Sequence, residues 1–183
     1  MKKLPSLETE RLVLNQIKPD DIPNIVAYAG NKKITDNTRT MPHPYFAEDA
    51  IAWMHMANQG FRNGDNYIFA LRNKENNLLM GGIGLTLDQE HNRAEIGYWI
   101  GEPFWNMGYT SEAVKVLLKF GFDQLQLNKI IAAYISTNSA SGKIMIKNGM
   151  IKEGEFKNHD IKNGEYVTLI HYGLLKSQYE SQH

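Results

Sequence analysis

The sequence predicts a mixed α/β fold, a single domain over residues 1–183 with a sheet of about seven strands, two early helices and two that cross the sheet. Three stretches carry that reading. Ala94–Ile100 alternates apolar Ile96, Tyr98 and Ile100 with Glu95, Gly97 and Trp99, the two-residue period of a half-buried strand. Lys129–Ile135 (KIIAAYI) is nearly all apolar, as in a strand covered on both faces. Tyr67–Arg72 and Leu78–Leu87, joined by the turn Asn73–Asn77, read as an antiparallel hairpin.

In chain order, Arg11–Ile17 is a first strand, ended by Lys18-Pro19. Asp21 is placed to cap a helix in which Ile22, Ile25, Val26 and Ala29 recur at helical spacing and which Gly30 closes. Asn31–Tyr45 is polar and carries two prolines, so it reads as a semi-rigid surface excursion, long enough to suggest a function. Ala47–Gly60 is the second helix, with Glu48 and Asp49 at its positive end and a buried stripe of Ala50, Trp53, Met54 and Ala57. The helix from Gly108 to about Gln124 is apolar over a wide arc (Ala113, Val114, Val116, Leu117, Phe120), which suits packing on a sheet. Ser136–Ser139 caps a short helix running to Asn148, with Gly149 as a left-handed stop. Met150–Asn158 and Glu165–Leu175 complete the sheet as a strand pair.

Composition excludes several classes. A chain of 183 residues buries about 70% of its unfolded surface and needs no disulfide or metal staple. Twenty basic and twenty acidic residues leave no electrostatic footprint for nucleic acid. Without cysteine there is no disulfide framework or zinc-thiolate site, and the six histidines are dispersed with no metal-ligand spacing. No apolar run approaches the ~20 residues of a membrane span, and the two N-terminal lysines lack the apolar segment of a signal peptide. A soluble, cytoplasmic protein is expected.

Arg93–Ala113 is the stretch around which the chain is organised. A strand breaks at Gly101-Glu102-Pro103, turns over Phe104–Met107 and becomes a helix at Gly108. The N–H groups of Tyr109, Thr110 and Ser111 then have no intrahelical acceptor, and the helix dipole adds roughly half a positive charge, so an anion, a phosphate above all, is favoured there. No G-x-x-x-x-G-K-[ST] loop competes for that role. Gly82-Ile83-Gly84 lies inside a strand and marks a bulge or close packing rather than a dinucleotide site.

A second segment, Asn138-Ser139-Ala140-Ser141 followed by Lys147-Asn148-Gly149-Met150, lies about thirty residues beyond Trp105–Ala113. With Leu7-Glu8-Thr9-Glu10-Arg11-Leu12, Met41-Pro42-His43-Pro44-Tyr45 and Glu95–Ile100, these motifs resemble the GNAT superfamily of acetyl-coenzyme A-dependent N-acetyltransferases. More narrowly, they are similar to its ribosomal-protein N-terminal acetyltransferases. The resemblance implies two central parallel strands, Ala94–Ile100 and Lys129–Ile135, that splay apart around acetyl-coenzyme A as co-substrate. The pantetheine arm is then expected at Trp99, Ile100 and Gly101. The pyrophosphate is expected on the turn and helix start at Asn106, Met107, Gly108, Tyr109, Thr110 and Ser111. Trp105 and Thr110 depart from the residues usual at their positions, but backbone donors survive both changes.

On the family reading Asn138 hydrogen-bonds the arm and Ser141 protonates the departing thiolate, although the residue type alone equally makes Asn138 a helix cap. The tyrosine that often supplies this proton is replaced by Met145. Some relatives carry a glutamate base on the strand before Asn138, where this chain has Ile131, Ala132 and Ala133. Glu95 is the best remaining carboxylate, unless it only pairs with Arg93 or Lys129, and Glu112 reads as a helix-start charge. A backbone N–H near Ile100 would meet the oxyanion. His43, Tyr45 and Trp53 are expected to wall the acceptor side, or to be core. Thr168 stands where an aspartate is common. The expected acceptor is an N-terminal amine of a protein or peptide, with a polyamine or other small amine as alternative. No metal and no covalent enzyme intermediate is expected. A coenzyme A-binding sensor with little turnover is the reading of another class, and monomer or homodimer is left open.

Overall fold

A computed structural model describes residues 3–181, and among these one eight-stranded sheet holds the chain together. Its strands are β1 (Leu7–Glu8), β2 (Leu12–Asn15), β3 (Asn66–Asn73), β4 (Leu79–Asp88), β5 (Arg93–Ile100), β6 (Lys129–Ile135), β7 (Ile151–Lys162) and β8 (Glu165–Leu175). They lie in the order β1-β2-β3-β4-β5-β6-β8-β7. Every neighbouring pair is antiparallel except β5 and β6. Helices α1 (Ile22–Ala29), α2 (Lys32–Thr35), α3 (Ala47–Asn63), α4 (Tyr109–Lys119), α5 (Ser139–Lys147) and α6 (Lys176–Ser181) flank it. None is long and apolar enough to cross a membrane.

Two apolar layers follow from strand alternation. Leu12, Leu14, Phe69, Leu71, Ile83, Leu85, Ala94 and Ile96 face one way and meet Ala113, Val114 and Leu117 of α4. Ala70 and Leu79 face the other way, under Ile25 and Ala29 of α1 and Ala50, Met54 and Ala57 of α3. The α3 stripe is as the spacing predicts, except that Trp53 is only half-buried. The β4 glycines serve close packing. A Cβ on Gly82 would lie 2.5 Å from the Trp53 ring, and one on Gly81 2.2 Å from the Trp99 carbonyl oxygen. A register shift opposite Leu71 and Arg72 adds the bulge.

The structure adds elements too short to show a period: the two-residue β1, the single turn α2 inside the polar loop, and α6. The sheet thus has eight strands where about seven were expected, and there are six α-helices where four were. The helix from Gly108 is α-helical only to Lys119 and continues as a π-helical turn over Phe120–Gln124. Asn158, in the left-handed region at φ 50°, bulges β7, which resumes pairing and runs on to Lys162.

Asp21 starts α1 but does not cap it with its side chain. Its carboxylate accepts from the Lys18 N–H (2.8 Å) and from both arms of Arg72 (2.7 and 2.6 Å). Arg72 points inward from β3, and its charge needs a buried partner. Their side chains are 5% and 7% exposed. Asp21→Ala should therefore lower stability by about 3–5 kcal/mol, because it strands the guanidinium. Asp36→Ala, which breaks only exposed contacts with Lys32 and Asn163, should move the urea midpoint far less. Equal midpoints for the two variants would contradict this account.

Candidate active site

Strands β5 and β6 are paired only at Arg93↔Lys129, Ala94↔Ile130 and Glu95↔Ile131, and beyond these rungs they part. Gly101 donates its N–H to the Met80 carbonyl (2.8 Å), so by alternation the backbone groups of Trp99 and Gly101 address β4. Those of Tyr98 and Ile100 address the opening. Of the three residues expected to line it, Ile100 is the one so aimed; Tyr98 joins it. The Trp105 indole N–H donates to the Ile100 carbonyl (2.9 Å), which fixes the turn to the strand end.

That turn leads to an open helix N-terminus. Asn106 and Gly108 are left-handed (φ 61° and 80°), Asn106, Met107 and Gly108 are exposed, and no side chain caps α4. Arg11 stands over the Tyr109 ring at 4.5 Å and donates to the Met107 carbonyl (3.0 Å). Glu112 fixes Arg11 there through an ion pair of 2.6 Å and also accepts from the Thr9 hydroxyl (2.5 Å). Burial opposes ionisation of Glu112, but the Thr9 hydroxyl and Arg11 outweigh it and hold the carboxyl below its usual range. The carboxylate expected to be a helix-start charge is thus also the tie between the β1–β2 turn and α4. At Ser111, Oγ accepts from Asn148 at the end of α5 (3.1 Å).

Asn138 starts α5 on the other side of the opening. Its Oδ1 accepts from the Ser141 N–H (3.4 Å) and its Nδ2 donates to Ser141 Oγ (3.0 Å). It is therefore a helix cap that also holds the serine hydroxyl. The Tyr98 hydroxyl donates to the Ser141 carbonyl (3.2 Å) and so joins β5 to α5 across the gap. Burial pushes the Tyr98 hydroxyl well above its ordinary pKa, so it remains a donor. Met145 is in the core.

The segment Asn31–Tyr45 is not a free excursion. Asn31 and Lys33 bond Glu102, the Asn37 carbonyl accepts from Asn138 (3.3 Å), and Asp36 accepts from Asn163 (3.0 Å). Arg39 pairs with Glu95 and with Asp160 (2.9 Å each), and Lys162 donates to the Met41 carbonyl (2.6 Å). The segment is stitched to the end of β5, to α5 and to the β7–β8 hairpin. Glu95 therefore pairs with neither predicted cation: Arg93 goes to Asp88 and Lys129 to Glu153. Tyr45 is core, 7% exposed, and burial pushes its hydroxyl up to about 12. Trp53 lies edge-on to Trp99 at 5.9 Å, and His43 alone of the three expected wall residues is exposed. Arg11, Arg39, Asp160 and His171 escaped the sequence reading. Only Arg11, inside the motif Leu7–Leu12, carried a signal.

A sheet parted at one parallel pair, with an uncapped helix N-terminus on one side and a capped serine on the other, defines an acyltransferase scaffold. A family model described as the acetyltransferase (GNAT) domain matches residues 11–151. The chain is 31% identical over 178 residues to an uncharacterized N-acetyltransferase, YoaA, of Bacillus subtilis, covering 94% of this chain and 97% of that one. It is 33% identical over 105 residues to a putative ribosomal N-acetyltransferase, YdaF, of the same organism, with 57% of each chain covered. The crystal structure of a GNAT-family acetyltransferase from Bacillus anthracis superposes with a TM-score of 0.83 at 25% identity, covering 94% of this chain and 99% of that one. The chain belongs to the acetyltransferase (GNAT) family and is an acetyl-CoA-dependent N-acetyltransferase.

Gly108→Pro should raise the Kd for acetyl-CoA at least about a hundredfold, some 2.7 kcal/mol, because proline removes an N–H and cannot adopt φ 80°. Titration calorimetry measures it, and an unchanged Kd in a folded variant would remove the turn from the site.

Proposed function

We propose that the chain, working in the cytoplasm as one domain over residues 1–183, moves the acetyl group of acetyl-CoA onto the N-terminal α-amine of a protein or peptide by direct attack in a ternary complex. The observation that carries this reading is the parting of β5 and β6 in line with the uncapped start of α4. In it the pyrophosphate lies on the N–H groups of Asn106–Ser111, and the arm follows Trp99–Gly101 with the Ile100 groups as its partners. Asn138 holds the arm at the thioester end, and the Ser141 hydroxyl, free to donate while it accepts from Asn138, protonates the departing sulfur. A wedge-facing backbone N–H near Ile100 meets the oxyanion.

The acceptor assignment rests on two supports. One relative bears the name of a putative ribosomal N-acetyltransferase. An α-amine, with a pKa of about 7.7–8.0, is already partly neutral at pH 7, whereas a lysine near 10.4 would need about three powers of ten of help. In this reading Glu95 is the carboxylate on the acceptor side; His43 is exposed, and Tyr45 and Trp53 belong to the apolar layer under α1 and α3.

A thiol-release screen over peptides with different first residues, polyamines and aminoglycosides tests the assignment. Peptides with a free α-amine should turn over and α-acetylated ones should not. A preference for polyamines would replace the acceptor class. In the same assay Ser141→Ala should slow turnover about 10²–10⁴-fold, the usual loss for a general acid; an unchanged rate would remove Ser141 from the chemistry.

A further inference from the structure

The proposed reaction leaves one step without a residue: the acceptor arrives as an ammonium ion and must lose a proton. His171 lies on β8 opposite Ala133 of β6. The last β5–β6 rung is Glu95↔Ile131, so His171 flanks the parted segment, on the sheet face that carries Glu95 and Trp99. Its Nε2 is buried and has no hydrogen-bond partner among the described residues. An orphaned buried nitrogen costs free energy and calls for an explanation, and a catalytic role is one of the few available.

The surroundings are those of a neutral imidazole. The ring packs against Phe156 (centroids 4.4 Å apart) and lies 6.3 Å from the ring of His159. The bulge between Phe156 and Asp160 sets His159 beside it and turns Asp160 towards Arg39. Burial lowers the His171 pKa first of all. Arg39 and His159 push the same way, and the carboxylates of Glu95 and Asp160 oppose them without reversing the shift.

We propose that His171 is the general base of this enzyme, taking a proton from the acceptor ammonium at a ring nitrogen. The inference rests on the N-acetyl-transfer reading above. The freed lone pair forms the C–N bond at the thioester carbonyl carbon, and the C–S bond breaks with its electrons on sulfur. The nitrogen's second excess proton passes to the Ser141 oxygen as that hydroxyl gives its own proton to the sulfur, so Ser141 is restored and the thiol is neutral. His171 returns its proton to solvent, so each turnover releases one proton. Glu95, ion-paired with Arg39, acts as the negative neighbour that favours the imidazolium during the step.

The sign of the pH dependence makes this testable. With His171 as base the productive state pairs a neutral imidazole with a charged amine. In the wild type kcat/KM should climb as His171 deprotonates, below the ordinary imidazole value of about 6.5, and level off before pH 7. In His171→Gln only the already neutral amine reacts, so kcat/KM should climb about tenfold per pH unit up to about 7.7–8.0. At pH 7, where roughly a tenth of an α-amine is neutral, that variant should be slower by about tenfold or more, with its Kd for acetyl-CoA unchanged by calorimetry.

The substrate is a lysine-free peptide with an unblocked N-terminus. A wild-type profile that itself climbs tenfold per unit to pH 8 overturns the role of His171, whether or not the variant folds. An unchanged rate in folded His171→Gln does the same. A wild type that binds acetyl-CoA but acetylates no amine at any pH overturns the transfer reading, and this inference with it.

Discussion

The structure depends on one interrupted pairing. Strands β5 and β6 share three rungs and then separate, although both continue. Backbone N–H and C=O groups of Tyr98 and Ile100 are left facing a gap inside a sheet, a costly arrangement unless something else pairs with them. The protein accommodates it from both sides. Trp105 takes the Ile100 carbonyl, and the Tyr98 hydroxyl reaches across to α5. An extended polar ligand would complete the pairing.

Around that gap, charge is arranged on a gradient. At one end are the exposed left-handed turn, the uncapped N–H groups of α4 and the Arg11 guanidinium, held by Glu112 and stacked on Tyr109. At the other, Glu95, Arg39 and Asp160 form a charged chain beside the imidazoles of His159 and His171. The first end suits a diphosphate. The second suits proton transfer at an amine. The Asn31–Tyr45 segment, bonded to Glu102 after β5, to α5 and to the last hairpin, joins the two.

The turn into α4 and the cap of α5 were legible in the sequence because they are local. Gly108 after a broken strand, and Asn138 three residues before Ser141, are short-range patterns whose backbone consequences are fixed by φ angles and helix ends. The cluster of Glu95, Arg39, Asp160, His159 and His171 was not legible because it is assembled from distant rungs. Nothing near Glu95 in sequence points to Arg39, fifty-six residues away. His171 sits in a run that reads simply as strand, and its placement beside the gap follows only from the β6–β8 register. Asp21 shows the same limit in the core. Its residue type gave its position at a helix start, but the buried Arg72 that claims its carboxylate lies on β3.

The most direct test is a map of backbone amide shifts by ¹⁵N NMR during titration with acetyl-CoA. The account predicts the largest changes at Tyr98 and Ile100 and across Met107–Ser111, with Leu14 and Arg72 unmoved. Saturable binding whose shifts avoid the β5–β6 gap and the start of α4 would contradict it.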